Sequence, residues 1–166
     1  FRLNGRLYQP GDLGRVIGSE ICIQIERPDR PGGVLFDNMT ALDNLCTSLI
    51  PKAGQHIIRK KIVSSILSEA LRWFPKEMLL QPLSSWSYPE RLRFSYYRWY
   101  LLNPRLLICF FPFAGQESTH HKMIIDLLVL CAQRGMAVWI ISSGIDAICE
   151  KTDNEEFLRR LHYLNK

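Results

Sequence analysis

The stretch that most constrains this chain is Leu106 to Phe111, Leu-Leu-Ile-Cys-Phe-Phe, set between Asn103-Pro104 and Pro112. Six successive apolar residues are too few for an ordinary helix, and they lack the alternation of a strand with one wet face. They fit a strand buried on both faces of a parallel sheet, and parallel strands require long crossover connections, usually helical. The sequence supplies these. Residues before Asn103 read as a helix that the Asn-Pro pair stops, and Ser118 to Gln133 reads as a helix apolar on most sides. Arg134-Gly135 closes that helix, and Met136 to Ile141 is a second buried strand. The two strands lie about 30 residues apart, the length of one βαβ unit, and its crossover is expected to be right-handed.

Upstream, Phe1 to Tyr8 reads as a β-hairpin turning at Asn4-Gly5, and Ile21 to Ile25 as a short β-branched strand. Glu26 to Gly33, with two prolines and two glycines, is a loop. Thr40 can cap a helix to about Leu49, with Asp43 completing a capping box, and Pro51 to Gly54 should break it. Gln55 to Phe74 carries the clearest amphipathic pattern: Ile58, Ile62, Ile66 and Ala70 on one row, Arg59, Lys60, Ser64 and Arg72 facing away. A loop from Lys76 to Trp86 then leads to Ser87-Tyr-Pro-Glu90, a helix start with a serine cap, an early proline and a glutamate three residues on. After Ile141, short helices are expected over Ile145 to Cys149 and from Asp153 to about Tyr163.

At 166 residues this is most simply one domain. We expect a helical subdomain over about 38–102, an α/β core over about 1–37 and 103–150, and a C-terminal helix over about 153–164. The chain opens at Phe1 with no methionine and reads as a piece of something longer. The net charge of +5 is scattered, and Arg59-Lys60-Lys61, the one run of three cations, reads as a solvated helix face. Five separated cysteines with no C-x-x-C pair point to a reducing, cytoplasmic setting. No apolar stretch reaches the roughly 18 residues of a membrane span. His120 and His121, adjacent on a helix, diverge by about 100° and are expected to face solvent, so no metal site is expected.

Several words of sequence resemble a known family. Arg98-Trp99, Asn103-Pro104-Arg105, Leu106-Leu107-Ile108, Pro112, Gly115, Gly135-Met-Ala-Val138 and Ile141-Ser142-Ser143 fall in register, without a gap, with the ATP-binding domain of ABC transporters. Within that family they resemble the tandem cassettes that energise import of ribose, galactose and other simple sugars. Glu26 to Gly33 is similar to the family's acidic-basic loop, Thr40 to Asn44 to a helix start, and Arg2 to Arg6 to the hairpin after the phosphate-binding helix. The resemblance covers about residues 1 to 148. It implies a P-loop NTPase-like ABC cassette fragment, α/β with mostly parallel buried strands and a helical subdomain. It also implies an ABC permease or a second cassette as partner, and a cytoplasmic place peripheral to the inner face of the cell membrane.

The positions that carry the family's chemistry differ. The G-x-x-x-x-G-K-[ST] phosphate loop would lie upstream of Phe1. The Walker B aspartate and the glutamate after it are replaced by Phe110 and Phe111, which neither ligate a hard cation nor accept a proton. The Leu-Ser-Gly-Gly signature aligns with Trp86-Ser87-Tyr88-Pro89. There Pro89 lacks an N–H, Tyr88 adds bulk, and Glu90 adds negative charge where an anion site at a helix N-terminus wants none of these. The D-loop aspartate becomes Glu117, and the switch position is Ser143. We therefore expect no catalytic residue and no cofactor of this chain's own, with ATP and Mg²⁺ entering only if an upstream segment completes the site.

This implies a degenerate, non-hydrolysing partner or regulatory half, a pseudo-ATPase. Two alternatives stand beside it: part of a longer sugar-transport protein that still uses ATP through an upstream phosphate loop, and a sensory or nucleic-acid module on this fold. Phe110, Phe111 and Phe113 are expected to fill a core where charges would sit. Glu26, Arg27, Asp29 and Arg30 are candidate contacts to a partner, with loop ion pairs the plainer role. Between Trp86 and Tyr100 aromatic residues interleave with Arg91, Arg93 and Arg98. Helical spacing puts Leu92, Tyr96 and Trp99 in the core and leaves Tyr88 and Tyr97 outside, as on a protein interface. Nucleic acid is not the expected partner.

Overall fold

A computed structural model describes residues 2–3, 6–26, 35–53, 60–115 and 117–142. At its centre is the expected strand, β4 (Leu106–Phe110), flanked in parallel by β3 (Ile21–Ile25) and β5 (Ala137–Ile141) in the order β3-β4-β5. The register sets Ile21, Leu106 and Ala137 in one row, and Ile25, Phe110 and Ile141 in another at the carboxyl end. The crossover from β4 to β5 is α6 (Ser118–Gln133), whose bounds are those expected. It ends at Gly135, whose φ of 87° suits a residue without Cβ, and the Met136 N–H donates back to the Cys131 carbonyl at 3.3 Å.

Before β4 runs α5 (Tyr88–Leu102). Its N-terminus is a capping box. The Ser87 N–H and hydroxyl donate to Glu90 Oε2 at 2.8 and 2.7 Å, and Pro89 sits in the first turn. At the other end Asn103 takes the left-handed conformation and its N–H closes on the Trp99 carbonyl at 2.8 Å. Asparagine tolerates this geometry, and Pro104 cannot continue a helix, which explains the sharp stop.

The two faces of the sheet differ. Cys22, Leu107 and Cys109 are buried beneath α5 and α6 against Leu92, Tyr96, Ile124 and Leu128, with Val138 and Ile140 partly buried beside them. On the opposite face Tyr8 and Val16 bury Ile21 and Leu106, with Ile108 and Ala137 partly buried against them. Tyr8 follows a hairpin of β1 (Arg2–Leu3) and β2 (Arg6–Leu7), and Val16 ends the short helix α1 (Leu13–Val16). Beyond them Ile23, Ile25, Trp139 and Ile141 are exposed, and Ile108 and Phe110 are half-buried. The expectation of a strand buried on both faces thus holds on one face, because the described residues include cover for only the amino end of the other.

A second core lies under the other side of α5, where Phe94 and Tyr97 meet Leu45 of α2 (Ala41–Ala53), Ile66 and Ala70 of α3 (Lys60–Ala70), and Phe74. Thr40 caps α2 as expected, its hydroxyl accepting the Asp43 N–H at 3.1 Å and donating to the Asp43 carboxylate at 2.6 Å. Two expectations fail nearby. The helix continues through Pro51 to Ala53, although a proline there gives up an N–H bond and crowds the carbonyl one turn back. The stretch 76–86 is not a plain loop: α4 (Lys76–Leu79) and a short 3₁₀ turn, Leu83–Ser85, drive Leu79 and Leu83 into the second core. The start of the long amphipathic pattern (54–59) and both helices expected after Ile141 lie outside the described residues.

Candidate functional site

In an open parallel sheet the ends of the strands, where the connecting loops meet, are the ordinary place for a ligand. Here the carboxyl ends are tied together by the backbone. The Glu26 N–H donates to the Phe110 carbonyl at 3.1 Å, and the Phe111 N–H to the Ile141 carbonyl at 2.8 Å. Phe111 then turns out of the sheet with φ of 52°, a conformation rarely held by a bulky residue, and the Ala114 N–H closes the turn on its carbonyl at 2.9 Å. This turn overturns one expectation. Phe113 is buried, but Phe110 is half-buried and Phe111 remains 45% exposed, so the three rings do not fill a common core. At the two strand-end positions the chain offers benzyl groups, which supply no oxygen to a magnesium ion and no base to a water.

Two helices begin beside this end. The α5 N-terminus carries Tyr88, 36% exposed, whose ring lies 5.7 Å from that of His120 on α6, while His121 meets Phe113 edge-on at 5.2 Å. The histidines do not simply face solvent as expected. They are half-buried between aromatic neighbours because the first turn of α6 packs against the α5 start and the β4 turn. Glu117 occupies the cap position of α6, exposed and without a side-chain capping bond. At α5 the N–H-rich end already holds an anion, because the Ser87 hydroxyl and backbone bind Glu90 and hold its carboxyl below the usual range. Trp86, one step earlier, is buried against Phe74 and Phe94 at 5.5 and 5.3 Å. Of the signature-aligned residues, Ser87, Tyr88 and Pro89 are thus at the surface and Trp86 is not.

Glu26 ends β3 and is the other surprise. Expected as a surface contact, it is 2% exposed and points inward, accepting from Gln24 Nε2 at 2.6 Å. The Gln24 amide oxygen accepts from the Trp99 indole N–H at 2.6 Å, and its nitrogen reaches Ser95 Oγ at 3.5 Å. Arg98 is buried nearby with its guanidinium 4.2 Å over the Trp99 ring. Burial pulls its pKa down to about 10, opposed by Cys22 and Glu26. Burial also raises the Tyr96 hydroxyl well above its ordinary value, helped by Cys109 and Glu26. This polar seam joins the strand end to α5. A lone glutamine in Ile-Cys-Ile-Gln-Ile was the signal for it in the sequence, since a buried amide needs partners. Tyr97, expected outside, is fully buried among Trp73, Phe74 and Tyr100. Arg27, Asp29, Arg30 and Ser143 lie outside the described residues. Among those described, no group of three His, Cys, Asp or Glu side chains is placed to hold a metal ion.

No protein-family model matches the sequence. Two curated relatives do. A putative ribose/galactose/methyl galactoside import ATP-binding protein of Pseudomonas fluorescens is 26% identical over 154 residues, covering 91% of this chain and 30% of its own. A protein of the same description from Pseudomonas syringae pv. tomato is 24% identical over 155 residues, covering 92% and 29%. This chain therefore spans under a third of those relatives' length. Among solved structures, the ATP-binding cassette MJ0796 in a dimeric post-hydrolysis state bound to ADP and Pi superposes with a TM-score of 0.61 at 19% identity, covering 85% of this chain and 60% of that one. cbiO1 of Clostridium perfringens, part of the ABC transporter complex cbiONQ, gives 0.59 at 20% identity over 77% and 49%. The fold is that of an ABC ATP-binding cassette, α/β and P-loop NTPase-like. The sequence is related to the ATP-binding proteins of sugar importers. No helix of the described residues is long and apolar enough to cross a membrane.

Proposed function

We propose that this chain is a degenerate cassette that does not hydrolyse ATP and serves as a partner or regulatory half beside an ABC permease or a second cassette, in sugar uptake. Its place is the cytoplasm, at the inner face of the membrane. The observation that carries the reading is the carboxyl end of β4. Phe110 and Phe111 stand where the resemblance puts the magnesium-binding and water-polarising acids, and Phe111 is turned to solvent rather than toward a reacting group. The closed N-terminus of α5 supports it, because Glu90 takes the Ser87 N–H and hydroxyl and sets a negative charge where a γ-phosphate would have to sit. The described side chains here do not fit a magnesium nucleotide, and we derive no step through one. Losing one acid–base or charge-stabilising group costs roughly 10²–10⁴-fold in rate, so the combined losses leave no useful turnover. Isothermal titration with Mg-ATP and a phosphate-release assay test this. We expect neither binding heat nor phosphate above background, and steady phosphate release by the purified chain would overturn the reading.

The open sheet face favours a second reading, in which the chain is a segment of a longer sugar-transport ATPase that binds nucleotide through an upstream phosphate loop. Parallel sheets are ordinarily covered on both faces, and Ile23, Ile25, Trp139 and Ile141 are not. The same titration on the product of the full reading frame separates the two: micromolar Mg-ATP binding there, lost on mutating an upstream P-loop lysine, selects the second.

A further inference from the structure

Outside the strand-end site, a groove of about 380 Å³ runs between Trp73, just past α3, Arg93 of α5 and one side of α6. Its apolar lining includes Trp73, Met123 and Leu130, and its charged groups are Arg93, Lys122 and Asp126. Trp73 touches both cores through Tyr97 and Tyr100, each with ring centroids 5.3 Å away, so this wall is held rigidly. The Arg93 guanidinium lies over the rings of Trp73 and Phe74 at 5.9 and 5.3 Å. Stacking uses the face of a guanidinium and leaves its N–H edge for an acceptor. Among the described residues neither Arg93 nor Lys122 has a carboxylate at ion-pair distance, and Asp126 has no cation at that distance.

From this arrangement we infer that the groove docks a segment of a protein partner in which a large apolar side chain is flanked by carboxylates. The apolar anchor seats among Trp73, Met123 and Leu130, and the acids meet Arg93 and Lys122 at the rim. Charge complementarity selects this occupant. Two cations against one anion favour an acidic segment with few, separated charges that can keep clear of Asp126, and the apolar lining calls for a hydrophobic anchor between them, which the dense phosphates of a nucleic acid or an anionic headgroup layer do not present. The groove is more open than enclosed, which suits a side chain projecting from a larger chain better than an enclosed small molecule. Aromatic and arginine side chains beside an apolar pocket are the ordinary composition of a protein hot spot. The inference is independent of whether a nucleotide binds at the strand ends.

The test uses the whole chain and two labelled ten-residue peptides, one with Phe-Leu at its centre between paired aspartates and glutamates, the other with those acids changed to asparagine and glutamine. Fluorescence anisotropy should show saturable binding of the acidic peptide, weakening with added salt, and at least about tenfold weaker binding of the amide control. Lys122→Glu, an exposed position that should leave the unfolding midpoint unchanged, should lower affinity for the acidic peptide by roughly tenfold and admit a lysine-flanked peptide that the parent chain rejects. Equal binding of the acidic and amide peptides, no binding at about 1 mM, or indifference to Lys122→Glu would each overturn the proposal. So would Lys122-dependent adsorption to phosphatidylglycerol vesicles or Lys122-dependent self-association in sedimentation with the peptides inert, either of which names another occupant.

Discussion

The covered and open faces of the sheet are both largely apolar and do opposite things. Toward α5 and α6 lie Cys22, Gln24, Leu107 and Cys109, all at or below 1% exposure. One residue away along each strand lie Ile23, Ile25 and Trp139, the last 55% exposed. Hydrophobicity alone therefore does not tell which face is core. What distinguishes them is the helical crossover, which the chain places on one side, and the polar seam of Gln24, Glu26, Ser95 and Trp99, which is satisfied only there.

That contrast can be broken by experiment. Leu107→Ala should lower unfolding stability by about 3 kcal/mol, the cost of a buried cavity, whereas Ile23→Ala in the next row should cost under about 1 kcal/mol in the same urea titration. Equal losses would mean that the open face is covered in solution. Trp99→Phe keeps an aromatic ring, though a smaller one, but removes the donor to Gln24, leaving a buried amide oxygen short of a bond, and should cost about 1–3 kcal/mol. Glu90→Ala should cost about 1 kcal/mol at neutral pH through loss of the capping box. Because Glu90 is held below its unfolded value, its contribution is present above about pH 4.3 and fades as pH falls through the folded value. The gap between parent and variant should accordingly close in acid. The smallest effect on stability is expected from Trp139→Ser, within about 0.5 kcal/mol, while binding of the dye ANS to the open face should fall visibly.

The sequence was a good guide wherever local chemistry decided the outcome. The apolar run of β4, the Asn103-Pro104 stop, the Ser87 to Glu90 cap and the full extent of α6 all follow from residues within one or two turns. It was a poor guide where a neighbour distant in sequence decided. Tyr97 looked external by spacing but is enclosed by Trp73 and Phe74 from α3's far end, and Glu26 looked like loop surface but is turned inward beside Gln24. The candidate site divides in the same way. That its strand-end positions carry no acid is readable from Phe110-Phe111, but the outward turn at Phe111 depends on a left-handed backbone that no residue type there announces.

The α5 helix has one more consequence, for how the chain folds. Leu92 and Tyr96 belong to the core under the sheet, while Phe94 and Tyr97, interleaved with them, belong to the core of the helical half. One fifteen-residue helix is thus the common wall of both. Neither core can open without exposing the back of the other, so amide hydrogens on the two sides of α5 should exchange through one shared opening event, and the two halves should melt as a single cooperative unit.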